Sequence, residues 1–173
     1  MRELVTLAIF CAMGMALSFI QIPIFPPAPY LQYDPSGIVT LSVALMFGPA
    51  AGLVVQVISW LPKLIMSPLG TLLTLVAMTG MVLVVGLIYK KMHNIRGAVV
   101  SLVVGAVVFI ALAIAMNFVI TPIYTPGVTV EAVAGMVLPI LLPFNIIKCA
   151  INVAATLLIY KPVSNLIKKQ IGR

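Results

Sequence analysis

Residues 143–152 read PFNIIKCAIN and place a lysine inside the last long apolar run of the chain. A charged side chain at membrane depth is costly, so it normally faces a cavity or a polar partner. On a helix, Asn145, Lys148 and Asn152 fall on one face. This stripe predicts one wall of an internal binding site. The alternative is that Lys148 extends to the headgroups, since it lies only about a turn and a half beyond Pro143.

The composition is typical of a helical membrane protein. Of 173 residues, 63% are hydrophobic and 8% are charged, and the mean hydropathy is +1.27. The apolar runs are continuous rather than alternating, which indicates helices. Six spans of about 20 residues each leave only short loops. We therefore predict an all-α integral membrane protein, a six-transmembrane-helix bundle that forms one membrane domain over residues 1–173.

Prolines and glycines divide the apolar runs. A proline-rich segment over residues 23–35 follows the first run and suits a loop that folds over the protein. Within it, Asp34 is predicted to cap the second helix rather than to contact a ligand. A short helix is predicted over 131–142, interrupted at Pro139. The six predicted spans are 4–22, 35–47, 49–65, 71–89, 97–120 and 143–160.

The charges predict the orientation. The formal net charge is +7, but the basic residues lie at predicted helix ends rather than on one face, which argues against nucleic-acid binding. With six spans they fall on one side, and the positive-inside rule then places both termini in the cytoplasm. The long loops at 23–34 and 121–142 face outward. The residues on the cytoplasmic side are Arg2, Lys90, Lys91, Arg96, Lys161, Lys168, Lys169 and Arg173.

Small residues recur every four positions in the first span, at Ala8, Ala12 and Ala16. Such a ridge lets another helix approach closely in lipid, where packing drives association. It predicts a surface for a partner helix, although alanine is also simply common in membrane helices.

No enzyme motif is found. The three acidic residues are separated in sequence, and there is no nucleophile elbow or phosphate-binding glycine loop. Cys11 and Cys149 lie in predicted spans without the spacing of a metal site. We expect no catalysis, no metal and no cofactor. What remains as an expectation is a membrane protein that binds a molecule from outside and relies on a partner for energy.

The chain resembles the S components of energy-coupling factor (ECF) vitamin transporters, and most closely the riboflavin-specific members. The resemblance spans nearly the whole sequence, and its last two blocks are the most specific. It is carried by IPIFP at 22–26 with Tyr30, Leu31 and Asp34, GPAAG at 48–52, GLIYK at 86–90, the segment from Asn117-Phe118 to Pro122-Ile123-Tyr124, and LPFNIIK at 142–148.

The resemblance implies a vitamin site near the outer surface, under the first long loop. Asn117 and Lys148 would bind the polar edge of the isoalloxazine, whose carbonyls and N–H suit an amide and an ammonium. Asn145 would reach the same edge, and Tyr30 and Leu31 would pack on the ring. Riboflavin is then a transported ligand and not a cofactor.

The resemblance also implies partners. The S component would dock in a prokaryotic cell membrane onto a transmembrane coupling subunit with two cytoplasmic ATPases, and it would topple to release its substrate. Ala8, Ala12 and Ala16 would contact the coupling subunit.

One departure concerns the turn at residues 67–71, where riboflavin-specific members often carry a longer glycine- and threonine-rich segment. This leaves open an S component for another small vitamin or a flavin analogue. From the residues alone, a non-transporting membrane adaptor and a stand-alone secondary transporter also stay open. The secondary transporter has little support, because Lys148 has no acidic partner in its own span.

Overall fold

The structure, a computed structural model, describes residues 2–28, 31–125 and 127–171, and its regular elements are helices. Short connections join most of them, and one isolated antiparallel bridge pairs Ile22 with Tyr33. The elements are α1 (Arg2–Ser18), α2 (Ser36–Phe47), α3 (Pro49–Met66), α4 (Pro68–Lys91), α5 (Ile95–Tyr124), α6 (Val130–Met136), a π-turn (Val137–Leu141) and α7 (Leu142–Ile171).

Four helical segments are long and apolar enough to cross a membrane: α3, α4, Ile95–Ile123 and Val130–Tyr160. Two shorter apolar helices accompany them, Glu3–Ser18 and Ser36–Phe47. The prediction of an all-α membrane protein is therefore confirmed, since the described residues form apolar helices of spanning length.

Helix α2 is the centre of the bundle. It packs against α1, α3, α4 and α7, and most of its residues are buried. The hydroxyls of Thr40 and Ser42 donate to the carbonyls of Ser36 and Ile38, one turn earlier, so these polar groups are satisfied inside the protein. A helix of 12 residues is about 18 Å long, too short to cross the hydrocarbon alone. Because other helices surround α2, its polar ends do not meet lipid.

The helix ends differ from the predicted ones in two ways. Helix α1 ends at Ser18 rather than at Ile22, because the chain tightens there and then turns so that Ile22 pairs with Tyr33. Helix α5 instead continues through Pro122 to Tyr124, beyond the predicted end at residue 120, whereas α3 continues through Pro62 as the predicted span 49–65 requires. A proline near the end of a helix removes one backbone hydrogen bond, and the flanking turns remain helical.

The break predicted at Pro139 is a π-turn within a continuous helical segment. The Leu142 N–H donates to the Val137 carbonyl, five residues earlier, so the hydrogen-bond pattern widens around the proline and then resumes in α7. Helix α7 begins one residue before the predicted Pro143 and continues past Tyr160 to Ile171. The residues between the predicted end at Tyr160 and Ile171 are thus part of this helix.

Close packing at Gly86 supplies a test of the helix arrangement. A Cβ on Gly86 of α4 would lie 2.7 Å from the Cα of Pro49, at the start of α3. We expect Gly86→Ala to destabilise the protein by about 1–3 kcal/mol, because the backbone of Pro49 must move.

The control is Gly135→Ala in α6, where an added Cβ meets no atom within 4 Å. That change is expected to be neutral or slightly stabilising, because alanine favours helix. The measurement is the thermal unfolding midpoint of both variants in detergent. Equal midpoints would contradict the close approach of α3 and α4.

Candidate functional site

A cavity of about 590 Å³ lies at one end of the bundle. It is formed where α1, α3 and α5 end and where α2, α4 and α7 begin, and the segment between α1 and α2 contributes to it. Its lining combines aromatic and aliphatic surface with several polar side chains. The lining residues are Phe19, Gln21, Leu31, Gln32, Asp34, Trp60, Lys63, Met66, Ser67, Gly70, Thr71, Leu73, Thr74, Phe109, Ala113, Asn117, Leu141, Phe144, Asn145 and Lys148.

Lys148 lies in the cavity wall and does not extend to the headgroups. Its side chain is buried, at 6% exposure, and its Nζ lies 5.6 Å from the ring centroid of Phe109. Among the described residues, no carboxylate comes within ion-pair distance of this Nζ. An ammonium over an aromatic face is attracted by the ring but keeps its hydrogen-bond donors. Lys148 is therefore placed to donate to a ligand.

Asn117 and Asn145 join Lys148 in the lining. Each amide nitrogen donates to a carbonyl one turn earlier in its own helix, Asn117 to Ala113 at 2.8 Å and Asn145 to Leu141 at 2.8 Å. Thr121 donates to the Asn117 oxygen at 3.0 Å. These bonds fix the rotamers, and each amide keeps a second N–H and lone-pair capacity. The hydrogen bonds that Asn117 makes to Ala113 and Thr121 lie within α5.

Asn152 shares the helix face of Asn145 and Lys148 but has a different role. Its Oδ1 accepts a hydrogen bond from the Tyr33 hydroxyl at 2.9 Å, which ties the segment before α2 to α7. Burial, with a smaller contribution from the charge of Asp34, raises the pKa of Tyr33 to about 12. The hydroxyl therefore stays protonated and remains a donor at neutral pH. Of the predicted polar stripe, Asn145 and Lys148 thus line the cavity, whereas Asn152 makes a structural contact with Tyr33.

The predicted capping role of Asp34 is wrong. Helix α2 begins at Ser36, and no side chain caps its first turn. Asp34 instead accepts a hydrogen bond from the Ser36 hydroxyl and lies 3.7 Å from the Lys63 Nζ. Lys63, the partner of this carboxylate, belongs to α3. The local sequence around Asp34 therefore does not reveal the contact.

The remaining predicted ligand contacts fall on the segment between α1 and α2. Leu31 lines the cavity and is partly buried. Tyr30 lies outside the described residues.

Sequence reasoning missed two lining residues of α3, Trp60 and Lys63. Their spacing of three residues puts them on one helix face. The Lys63 Nζ lies 5.2 Å from the Trp60 ring centroid. The sequence does contain a signal for them, because an aromatic and a basic residue share one helix face next to a predicted loop.

The alanine ridge is exposed. Helix α1 packs Phe10, Cys11 and neighbouring residues against α2 and α3. Ala8, Ala12 and Ala16 point away from that contact and are exposed. The ridge is thus accessible to another helix in the membrane.

The cavity has the chemistry of a binding site. Among the described residues no group of three His, Cys, Asp or Glu side chains is placed to hold a metal ion. A largely apolar cavity with a few converging polar groups suits a flat, partly polar small molecule. Fold and cavity together define the class: a membrane-embedded protein that binds a small molecule at one end of a helical bundle.

Comparison with known proteins gives the family. The family described as "ECF transporter, substrate-specific component" matches residues 2–160. The chain belongs to this family, so it is a transporter component rather than an enzyme.

Individual relatives match over nearly the whole chain. The Riboflavin transporter RibU of Staphylococcus aureus (strain TCH60) is 28% identical over 97% of this chain and 93% of its own. The Riboflavin transporter FmnP of Bacillus subtilis (strain 168) is 28% identical over 98% and 95%. A solved structure described as "Structure and mechanism of the S component of a bacterial ECF transporter" superposes with a TM-score of 0.80 at 28% identity, covering 95% of this chain and 96% of that one. The resemblance found in the sequence is confirmed.

Proposed function

We propose that this protein is the substrate-binding S component of an ATP-driven ECF importer and that it binds riboflavin from outside the cell. The observation that carries the proposal is the cavity, which brings Asn117, Asn145 and Lys148 from two helices into one lining. Two relatives named riboflavin transporters, each 28% identical over nearly the full length, support the choice of ligand.

The cavity chemistry matches a flavin. The polar edge of the isoalloxazine presents carbonyl acceptors and an N–H donor, so it needs both donors and acceptors. Lys148 supplies donors only, whereas the two asparagine amides supply both. Phe109 and Phe144 offer aromatic surface for the fused rings. Leu31 would pack on the ring from the first long loop, together with Tyr30.

The topology we propose has six spans in a single membrane domain over residues 1–173, in the cell membrane of a prokaryote. The four long apolar segments would cross the membrane, and α1 and α2 would complete the bundle. Lys90, Lys91 and Arg96 lie at the α4–α5 connection, at the opposite end of α4 from the cavity. By the positive-inside rule that end and both termini face the cytoplasm. The cavity then opens outward.

The energy would come from partners. We propose that the chain docks onto a transmembrane coupling subunit that carries two cytoplasmic ATPases. The exposed ridge of Ala8, Ala12 and Ala16 would form the contact, because small residues let two helices approach closely in lipid.

Titration of the purified protein with riboflavin tests the function. Trp60 is the single tryptophan and lines the cavity, so quenching of its emission reports on this site. We expect saturable quenching of both the tryptophan and the flavin at nanomolar to low micromolar ligand. A flat titration of folded protein would exclude riboflavin.

A flat riboflavin titration would direct the search to another small vitamin or flavin analogue. The short α3–α4 turn lines the cavity through Ser67, Gly70 and Thr71, and it is the part that departs from the riboflavin-specific members. A panel of vitamins in the same assay would then identify the ligand.

A further inference from the structure

The cavity holds a second polar group, formed by Asp34 and Lys63. Asp34 precedes α2 and is buried, and Lys63 belongs to α3 with its side chain 11% exposed. Neither comes from α5 or α7, which carry the proposed contacts to the ring edge. Both line the cavity.

The surroundings hold the carboxylate in place. The Trp60 indole N–H donates to the Ser36 hydroxyl at 3.0 Å, and that hydroxyl donates to Oδ1 of Asp34. One oxygen of Asp34 is thus oriented by a buried chain of hydrogen bonds. The other oxygen, Oδ2, is the one that lies next to Lys63.

The Asp34–Lys63 pair is close but not joined by an ordinary hydrogen bond. The distance from Oδ2 to Nζ is 3.7 Å, whereas charge-assisted N–H···O bonds are about 2.7–2.9 Å. The Asp34 carboxylate, an acceptor, and the Lys63 ammonium, which has three N–H donors, are therefore neighbours. Each can still form further hydrogen bonds. Buried charges with unfilled hydrogen-bond capacity are unfavourable, so a ligand that fills both is favoured.

Hydroxyl groups fit this pair better than the flavin ring edge does. A hydroxyl donates one hydrogen bond and accepts others, so one group bridges a carboxylate and an ammonium, and neighbouring hydroxyls engage each separately. The ring edge has a single N–H donor, which the amide oxygens of Asn117 and Asn145 would accept, so its carbonyls alone would leave the Asp34 carboxylate without a donor. The matching part of riboflavin is its ribityl chain, which carries several hydroxyls.

We infer that Asp34 and Lys63 bind the hydroxylated side chain of the ligand and select flavins that carry a polyol on the ring. The inference rests on the proposed function and adds a specificity site to it. The ring-edge group, Asn117, Asn145 and Lys148, then recognises what all flavins share, whereas the Asp34–Lys63 pair recognises the substituent.

The test compares riboflavin with lumiflavin, which has a methyl group in place of the ribityl chain. Dissociation constants are measured by flavin quenching for the unmodified protein, Asp34→Asn and Lys63→Met. We expect each change to weaken riboflavin at least tenfold and to leave lumiflavin within about twofold. Lys148→Met is the contrasting variant, since it should weaken both ligands by the same factor.

A second measurement uses only the unmodified protein, in case the variants fold poorly. Flavins whose side chain carries four, two, one or no hydroxyls should bind with stepwise decreasing affinity.

Equal losses for riboflavin and lumiflavin in Asp34→Asn and Lys63→Met would overturn the inference and leave the proposed function intact. Equal affinity of the unmodified protein for all the flavins would do the same. If no flavin binds to folded protein, the proposed function fails, and the inference fails with it.

Discussion

Lys148→Met is expected to weaken riboflavin binding by about 10- to 100-fold, because a hydrogen bond that involves a charged group is worth about 1.5–3 kcal/mol. Lys148 is 6% exposed and lies 5.6 Å from the centre of the Phe109 ring. Methionine has similar length and fills the same space, so the change removes the charge and the donors without opening a large void. The measurement is the dissociation constant from tryptophan and flavin quenching.

Lys90→Met is the matched control for this prediction. Lys90 is exposed in the last turn of α4, away from the cavity. Its replacement removes one positive charge from the protein and should leave the affinity unchanged. Unaltered riboflavin affinity in Lys148→Met would contradict the assignment of Lys148 to the ring edge, whatever Lys90→Met does.

The double variant Ala8→Leu/Ala12→Leu is expected to reduce ATP-dependent riboflavin uptake at least tenfold while riboflavin binding is retained. Both alanines are exposed on the face of α1 that does not contact α2 or α3. Leucine is compatible with lipid, so the isolated protein should fold. Its larger side chain would keep a partner helix at a distance and weaken packing. Uptake is measured in proteoliposomes with the coupling subunit and ATPases, and association is measured by co-purification.

Ile9→Leu controls for a general effect on α1. Ile9 is exposed on the same helix and is already large and apolar, so this change alters shape but not size. It should leave assembly and uptake at the level of the unmodified protein. Full assembly of the double alanine variant would show that the ridge is not the docking surface.

The helical membrane class was predictable because it depends on composition and on continuous apolar runs. Helix ends were harder to predict, since they depend on contacts between residues that are distant in sequence. Helix α1 ends early because Ile22 pairs with Tyr33, and nothing near Ile22 in the sequence specifies that partner. Helix α5 continues through Pro122 to Tyr124, beyond the predicted end at residue 120. A single lost hydrogen bond is tolerated where the helix packs against its neighbours.

The candidate site was partly predictable for a similar reason. A lysine within an apolar run is visible in any sequence, so Lys148 and the residues on its face stood out. Asn152 was placed on the correct face, but only the fold shows that it binds Tyr33. Asp-Pro-Ser is a strong local signal for a helix cap, whereas the pairing of Asp34 with Lys63 requires α3 to pack beside it. Local patterns identify polar groups, whereas the partners depend on tertiary packing.

The bridge between Ile22 and Tyr33 has a consequence for affinity. Two backbone hydrogen bonds of 2.8 Å join these residues, so the segment between them is closed at its base before any ligand arrives. Bringing together the ends of a loop of about ten residues loses chain entropy equivalent to about 2 kcal/mol. Because folding has already restricted this segment, ligand binding does not have to restrict it and does not lose that chain entropy. A free segment of the same length would raise the dissociation constant about 30-fold, and the bridge thereby pre-organises the site.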